Sequence, residues 1–561
     1  MHLKKIGVFV SNGCVLPNRL LDAISSLFDL QFVRIDEVGH SRCDAAILFG
    51  VSQKQATEAS MSGVRCLAFI GDQPKPVASP KADVVLGDVP CLAHPFRGRT
   101  LPDTSIGESV CLTKEPADKV VARKGENSLW IRQTGGPSAV DLVAFNPPEI
   151  TGTDYLFQFF QRDNWARLLP ILHFAQEVSE WELPPPRATL MFDDPNLHWK
   201  SYGYINYERI IQHASRYNYH ASFATVPMDS WYVHGRTAHL FRENPSRVSL
   251  LIHGNDHTYF ELTKVSTRKK QEALAAQALR RIQRLERLVG LDVPRVMAPP
   301  HGACCYGMAN ILLRTGFEAA CISRSSLMKR NPNSVWPITI GMNPAEFFGG
   351  GLPIIPRYNI RWDETYPLFA AFLGQPIIPV GHHDDASSGL DFLRQSADLI
   401  NSVDRVRWMD MKSIARTNFC TRRDGETLHI KMYSRKIRLR VPDGFKHLCV
   451  HRPWLDGNTE EKLQLIKAGP VVEIIKSCQR EHISVREGED IEVASIFPNM
   501  IDHQKVRIFR SPPWAIARRQ LCEGRDRLRP AMDGLFGLSK PKKNERLALI
   551  PNHENNTRAA K

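Results

Sequence analysis

His253 and His257 stand four residues apart, a spacing that brings two imidazoles to one side of a helical turn, where a divalent ion is commonly held. One carboxylate added to such a pair gives hard and borderline ligands with coordination positions left open. Asp193 and Asp194 are adjacent carboxylates, although a double Asp before a proline is more often a turn or helix-cap device. Two further polar clusters are Pro299-Pro300-His301-Gly302 and His382-His383-Asp384-Asp385. Carboxylates and imidazoles around one ion could take and give protons during a hydrolysis. Surface histidines and structural turns are the plain alternative.

Each cluster follows an apolar run: 188–192, 248–252, 295–298 and 376–380. Similar runs lie at 221–226, 318–322 and 406–409, with helical stretches between several of them. In residues 269–288, Leu274, Ala278, Ile282, Leu285 and Val289 form one apolar face before Gly290, which is a suitable stop. Seven strands with intervening helices predict a βα-barrel or a related parallel sheet. Such sheets gather reactive groups where their strands end, and four polar clusters at four strand ends make one constellation.

The flanking regions are different in kind. Residues 1–150 alternate short strands and helices, as in a flavodoxin-like or Rossmann-like doubly wound α/β unit, and then become a β-rich extension. The first strand leads into SNGCVLPN, so the G-x-G-x-x-G fingerprint of dinucleotide binding is missing. Residues 151–186 read as a helical connector stopped by Pro184–Pro186, and 419–500 as an all-β domain of short strands and turns. Residues 501–561 read as a basic tail.

Composition bounds the rest. Hydrophobic residues make up 43% and charged residues 24%, enough apolar material for several cores. The formal charge is +14. From Arg510 onward there are twelve Lys and Arg against five Asp and Glu, a net +7, so half the excess lies in the tail. Such a tail could contact an anionic partner, or simply be solvated. No nucleic-acid motif accompanies it. The twelve cysteines have no metal-finger spacing, which fits free thiols in a reducing compartment. No run is long enough to span a bilayer and no signal peptide is read, so a cytoplasmic location is expected.

Residues 187–418 resemble the polysaccharide deacetylases, the NodB-homology group similar to carbohydrate esterase family 4, whose fold is a distorted (β/α) barrel with a metal-dependent site. Phe192-Asp193-Asp194 stands where that family has Phe-Asp-Asp-Gly. The resemblance implies Asp193 as catalytic base, Asp194, His253 and His257 as ligands of a divalent ion such as Zn2+, and His382 as the general acid. Pro300, His301 and Gly302 match part of the third motif and are expected to contact substrate or the oxyanion. His383 and Asp384 are read either as orienting His382 or as a structural turn. Pro195 and Asn196 replace the motif glycine, and Ala298 stands where the family has the arginine that orients the base. Arg295 and Arg324 are the candidates to replace that arginine.

The implied activity is removal of acetyl groups from an amino sugar or polysaccharide, in envelope or exopolysaccharide synthesis. His198, Trp199, Tyr202, Tyr204, Trp231, Tyr232, Tyr259 and Trp362 offer aromatic faces for sugar rings, or ordinary packing anchors. The other reading is a catalytically silent barrel that binds a glycan or a partner, favoured by Ala298.

Overall fold

The computed structural model describes residues 3–37, 43–71, 75–76, 83–264, 267–361, 365–455, 461–467, 472–475 and 482–536. Trp362 and the tail beyond residue 536 lie outside them. The chain is a mixed α/β, multidomain protein built on two large sheets and an all-β unit.

In the first sheet, Leu30–Arg34, Lys4–Val10, Ala45–Val51, Arg65–Ile70 and Val140–Val143 run parallel in that spatial order. Asn127–Gln133, Lys119–Lys124, Val84–Leu86 and Thr100–Leu101 then continue the same sheet in antiparallel fashion. The β-rich extension therefore shares one hydrogen-bonded sheet with the α/β unit. Helix Asn18–Phe28 buries Leu20, Leu21 and Ile24 against it.

The connector is less helical than expected. Leu156–Phe159 is a short 3-10 turn, and the α-helix is confined to Leu169–Ser179. Asp103 competes with helix formation in between, because its carboxylate accepts the N–H groups of Trp165 and Ala166, each at 2.9 Å. Pro170 then sits in the first turn, where a missing N–H costs nothing.

The central sheet carries the candidate site. Its order is Glu346–Phe348, Leu352–Ile355, Ala319–Cys321, Val296–Met297, Val248–Ile252, Ala221–Thr225, Leu190–Asp193, Pro379–Gly381 and Tyr358–Asn359. All neighbours are parallel except the first pair. Leu352–Ile355 and Tyr358–Asn359 lie near opposite ends of this order, yet only Pro356 and Arg357 separate them in the chain. The three steps from Ile355 to Tyr358 span at most about 11 Å, so the sheet must curl until its ends nearly meet.

Sequence periodicity places most of these strands, with two corrections. The strands between 346 and 359 escape it, because three consecutive glycines and Pro353 and Pro356 obscure their pattern. Arg407–Trp408 pairs instead with Arg187–Ala188 in a separate small sheet. The long amphipathic helix spans Arg268–Val289, with Thr267 capping Lys270 N–H and Gly290 in the left-handed conformation. Leu274 is only half-buried, and Leu279 takes a core place beside Ala278, Ile282, Leu285 and Val289.

The all-β unit has two four-stranded sheets with their own core, including Ile430, Ile437, Leu448, Leu465 and Val493. The helix Pro513–Phe536 follows it. None of the eleven described cysteines forms a disulfide. Among the described residues, no helix is long and apolar enough to cross a membrane.

Candidate active site

Asp194 follows strand Leu190–Asp193, and His253 follows strand Val248–Ile252, so both leave the carboxyl ends of parallel strands. Asp194 Oδ1 lies 3.0 Å from His257 Nε2 and 3.8 Å from His253 Nε2. Ligand atoms around a tetrahedral ion at about 2.0–2.1 Å stand roughly 3.4 Å apart, and the two separations bracket that value. His253 donates from Nδ1 to the Ala298 carbonyl at 2.8 Å, which leaves the Nε2 lone pair directed at the cluster. Asp194 Oδ1 is buried without a hydrogen-bond partner. A buried acceptor without a hydrogen bond, facing two imidazole nitrogens, fits a divalent ion.

The loop between the histidines is fixed by Glu261. Its carboxylate accepts the N–H groups of Asn255 at 2.7 Å, Asp256 at 3.0 Å and His257 at 3.2 Å. Gly254 adopts φ +64°, and a Cβ there would come 2.1 Å from Glu261 Oε1 and 2.6 Å from Pro300 Cγ. Asp194, His257 and His301 all have positive φ, at 83°, 53° and 57°. Strained backbone of this kind persists where surrounding contacts over-determine it. Burial pushes the His257 imidazole down to about 4. Burial alone would raise Asp194, but His257, His253 and Arg519 hold it well below the usual carboxylate range.

Asp193 is also buried, and the cation beside it is neither Arg295 nor Arg324. Arg357 Nη1 donates to Asp193 Oδ1 at 2.9 Å and Oδ2 at 3.0 Å. Although burial opposes charge at both groups, the pair keeps Asp193 below its ordinary pKa and Arg357 above its own. Arg357 belongs to the two-residue seam that brings the sheet ends together. Arg295 is held by Glu286 at 2.8 Å, and Arg324 lies 3.6 Å from the centre of the Phe157 ring.

His382 follows strand Pro379–Gly381, is exposed, and lies close enough to Asp193 and Asp194 to help hold both ionised. Its N–H donates to Asp385 Oδ2 at 2.8 Å. His383 is buried, with Nε2 3.5 Å from Asp526 Oδ2, and Asp384 accepts from Arg529 at 2.7 Å. Both face the C-terminal helix. Pro300, His301 and Gly302 form a short 3-10 turn whose His301 ring lies 5.7 Å from the His257 ring.

The helix Pro513–Phe536 is the feature sequence reasoning missed. Its polar residues dock on the strand-end face. Arg519, 3% exposed, donates to Asp229 Oδ2 at 2.6 Å and to the Asp194 carbonyl at 2.9 Å, and Nη1 lies 3.6 Å from Asp194 Oδ1. Arg518 donates to the His257 carbonyl at 2.7 Å. Farther along, Glu523 meets His198 at 3.0 Å, Tyr202 donates to Asp526 at 3.1 Å, Tyr204 bonds Asp533, and Arg527 donates to the Ser201 carbonyl at 2.7 Å. The described part of the basic tail is thus a bound roof rather than a solvated end. The candidate sugar platforms divide accordingly: His198, Tyr202 and Tyr204 contact this helix, Trp199 is exposed but lies under its Arg527, and Trp231, Tyr232 and Tyr259 remain exposed.

No family model matches the chain, and no curated protein matches it. Among solved structures it is similar to Agd3, described as a novel carbohydrate deacetylase, at 9% identity over 88% of this chain and 98% of that one, with a TM-score of 0.48. It is similar to a putative polysaccharide deacetylase from Mycobacterium smegmatis at 14% identity over 42% of this chain and 90% of that one, with a TM-score of 0.31. A third likeness is to wild-type BA3943, a carbohydrate esterase family 4 pseudoenzyme from Bacillus anthracis, at 12% identity over 40% and 67% of the chains and a TM-score of 0.23.

Proposed function

We propose that this chain is a metal-dependent hydrolase that removes an acetyl group from an amino sugar or polysaccharide. The observation that carries the reading is the convergence on Asp194 Oδ1, buried without a hydrogen bond, of His253 and His257, beside an Asp193 carboxylate held by Arg357. Asp194, His253 and His257 would hold the ion, most simply Zn2+. A bound divalent ion supplies Lewis acidity, polarising an acyl carbonyl and making water a stronger acid.

The chain's own residues complete the chemistry. Asp193 takes a proton from the attacking water, and Arg357 keeps its carboxylate ionised and oriented for that step. As the water oxygen bonds to the acyl carbon, the bond to the sugar nitrogen or oxygen breaks. His382 gives the leaving atom its proton. In the turn Pro300–Gly302, where Pro300 has no N–H and the Gly302 N–H donates to the Pro299 carbonyl, the His301 N–H is the donor offered to the oxygen that gains charge. Trp199, Trp231, Tyr232 and Tyr259 offer faces for sugar rings around the mouth. An acetylated saccharide of envelope or exopolysaccharide synthesis suits these groups.

Acetate release from acetylated amino-sugar oligomers by the metal-loaded chain tests the reading. Asp193→Asn should abolish release while retaining the ion. Release that persists in this variant removes Asp193 as the base.

A second reading, a silent barrel that binds a glycan or partner, is favoured by Arg519, whose guanidinium lies beside the proposed ligand Asp194. On that reading the ion-loaded wild-type chain binds saccharide without releasing acetate. Ala298 is weaker support for it, since Arg357 already holds the base.

A further inference from the structure

A second cluster of ligand-type side chains lies in the all-β unit, away from the strand-end face. Strands Thr427–Met432 and His447–His451 run parallel, with His429 opposite Cys449 in register. Cys449 and His451 are two residues apart and therefore share one face of their strand. His429 is 3% exposed and Cys449 2% exposed, while His451 is half-buried. His429 Nδ1 lies 3.0 Å from His451 Nε2, and Cys449 Sγ lies 3.6 Å from the same Nε2. All three ligand atoms fall within 4.8 Å of one another.

We propose that His429, Cys449 and His451 form a second metal site, a thiolate and two imidazoles suited to Zn2+, independent of the deacetylase-like centre. The separations match the chemistry. Zinc bonds of about 2.3 Å to sulfur and 2.0–2.1 Å to nitrogen, spread tetrahedrally, put the two nitrogens about 3.4 Å apart and sulfur about 3.6 Å from nitrogen. The nitrogen pair must open by a few tenths of an ångström, as the imidazole–imidazole hydrogen bond gives way to two bonds to the ion, and Cys449 Sγ lies within 4.8 Å of the His429 ligand nitrogen.

The surroundings support that exchange. His429 Nε2 lies 3.5 Å from Asp424 Oδ2, the kind of outer carboxylate that fixes a ligating ring so that its other nitrogen carries the lone pair. Binding releases one proton, from Cys449, and leaves both imidazoles neutral. The Trp181 ring meets His451 edge-on at 5.9 Å, and Lys431 reaches Asp29 of the first unit at 3.0 Å. An ion here would tie two strands together where the β unit meets the rest of the molecule.

Cobalt separates this site from the first one, because only this cluster contains sulfur. The full-length chain, stripped of metal and titrated with Co2+, should take up two ions and develop a thiolate-to-cobalt charge-transfer absorption band. The His253→Ala, His257→Ala double variant should take up one ion and keep that band. Cys449→Ser, with His429→Gln as a second variant, should lose the band and keep one ion. Absence of the band in the wild-type chain, or its survival in Cys449→Ser, would overturn the proposal and leave a hydrogen-bonded histidine pair.

Discussion

Arg357 does for Asp193 what no neighbouring residue in sequence does. It meets both carboxylate oxygens inside the curled sheet, where both side chains are buried. Removing one side of a buried ion pair leaves the other uncompensated, at a cost of about 3–5 kcal/mol. Arg357→Ala should lower stability by that order, and Asp193→Asn in the same chain should restore part of it, as read by chemical denaturation. Catalysis responds separately: misplacing the base should reduce acetate release on the order of 10²-fold while the ion stays bound. Glu261 is a positioning residue of another kind, since it gathers the N–H groups of the loop that carries His257. Glu261→Ala should weaken zinc affinity by about 10–100-fold in a metal-competition titration, with stability lower by roughly 1–3 kcal/mol. Wild-type affinity in that variant would make the loop self-supporting.

At the scale of elements, the C-terminal helix makes the most specific claim. Its attachment combines His198, which directs one ring nitrogen to Glu523 and the other to the Asp229 carbonyl, with Glu523, which also accepts from Arg527. Burial alone would lower His198 and raise Glu523, but these contacts raise His198 above 6.5 and bring Glu523 down from 4.5 to about 2. The Glu523 contribution is complete above 4.5 and is lost as pH falls toward 2. The His198 contribution is complete below 6.5 and is lost as pH rises through its folded value. Docking should therefore be firmest between 4.5 and 6.5 and should loosen at higher pH. Protection of Cys522, half-buried on this helix, measured as its alkylation rate relative to the denatured chain at the same pH, should fall above 6.5 in the wild-type chain and be weak throughout in His198→Ala. Protection independent of pH would show that this pair does not govern docking.

For the whole molecule, what sequence could show follows from how each feature is encoded. The proposed ion ligands were legible because a double Asp and a His-x-x-x-His spacing are local, and apolar runs before them announce strand ends. Arg357 was not, since it reaches Asp193 across 164 positions through closure of the sheet. The closing strands were hidden by glycines and prolines. The helix at the far end was hidden for a different reason: it docks through Arg519, Glu523 and Asp526, so the face that binds reads as a solvated one. Half of the charge excess, read as a tail either solvated or open to an anionic partner, thus includes five arginines on a helix set over the candidate site.

The central claim is that Asp194, His253 and His257 share one ion. A crystal of the full-length chain grown with Zn2+, measured at the zinc absorption edge, tests it most directly. The predicted result is an anomalous peak within about 2.0–2.2 Å of Asp194 Oδ1, His253 Nε2 and His257 Nε2, with Arg357 still on Asp193. No peak there, with Arg519 paired to Asp194 Oδ1 in its place, would contradict it.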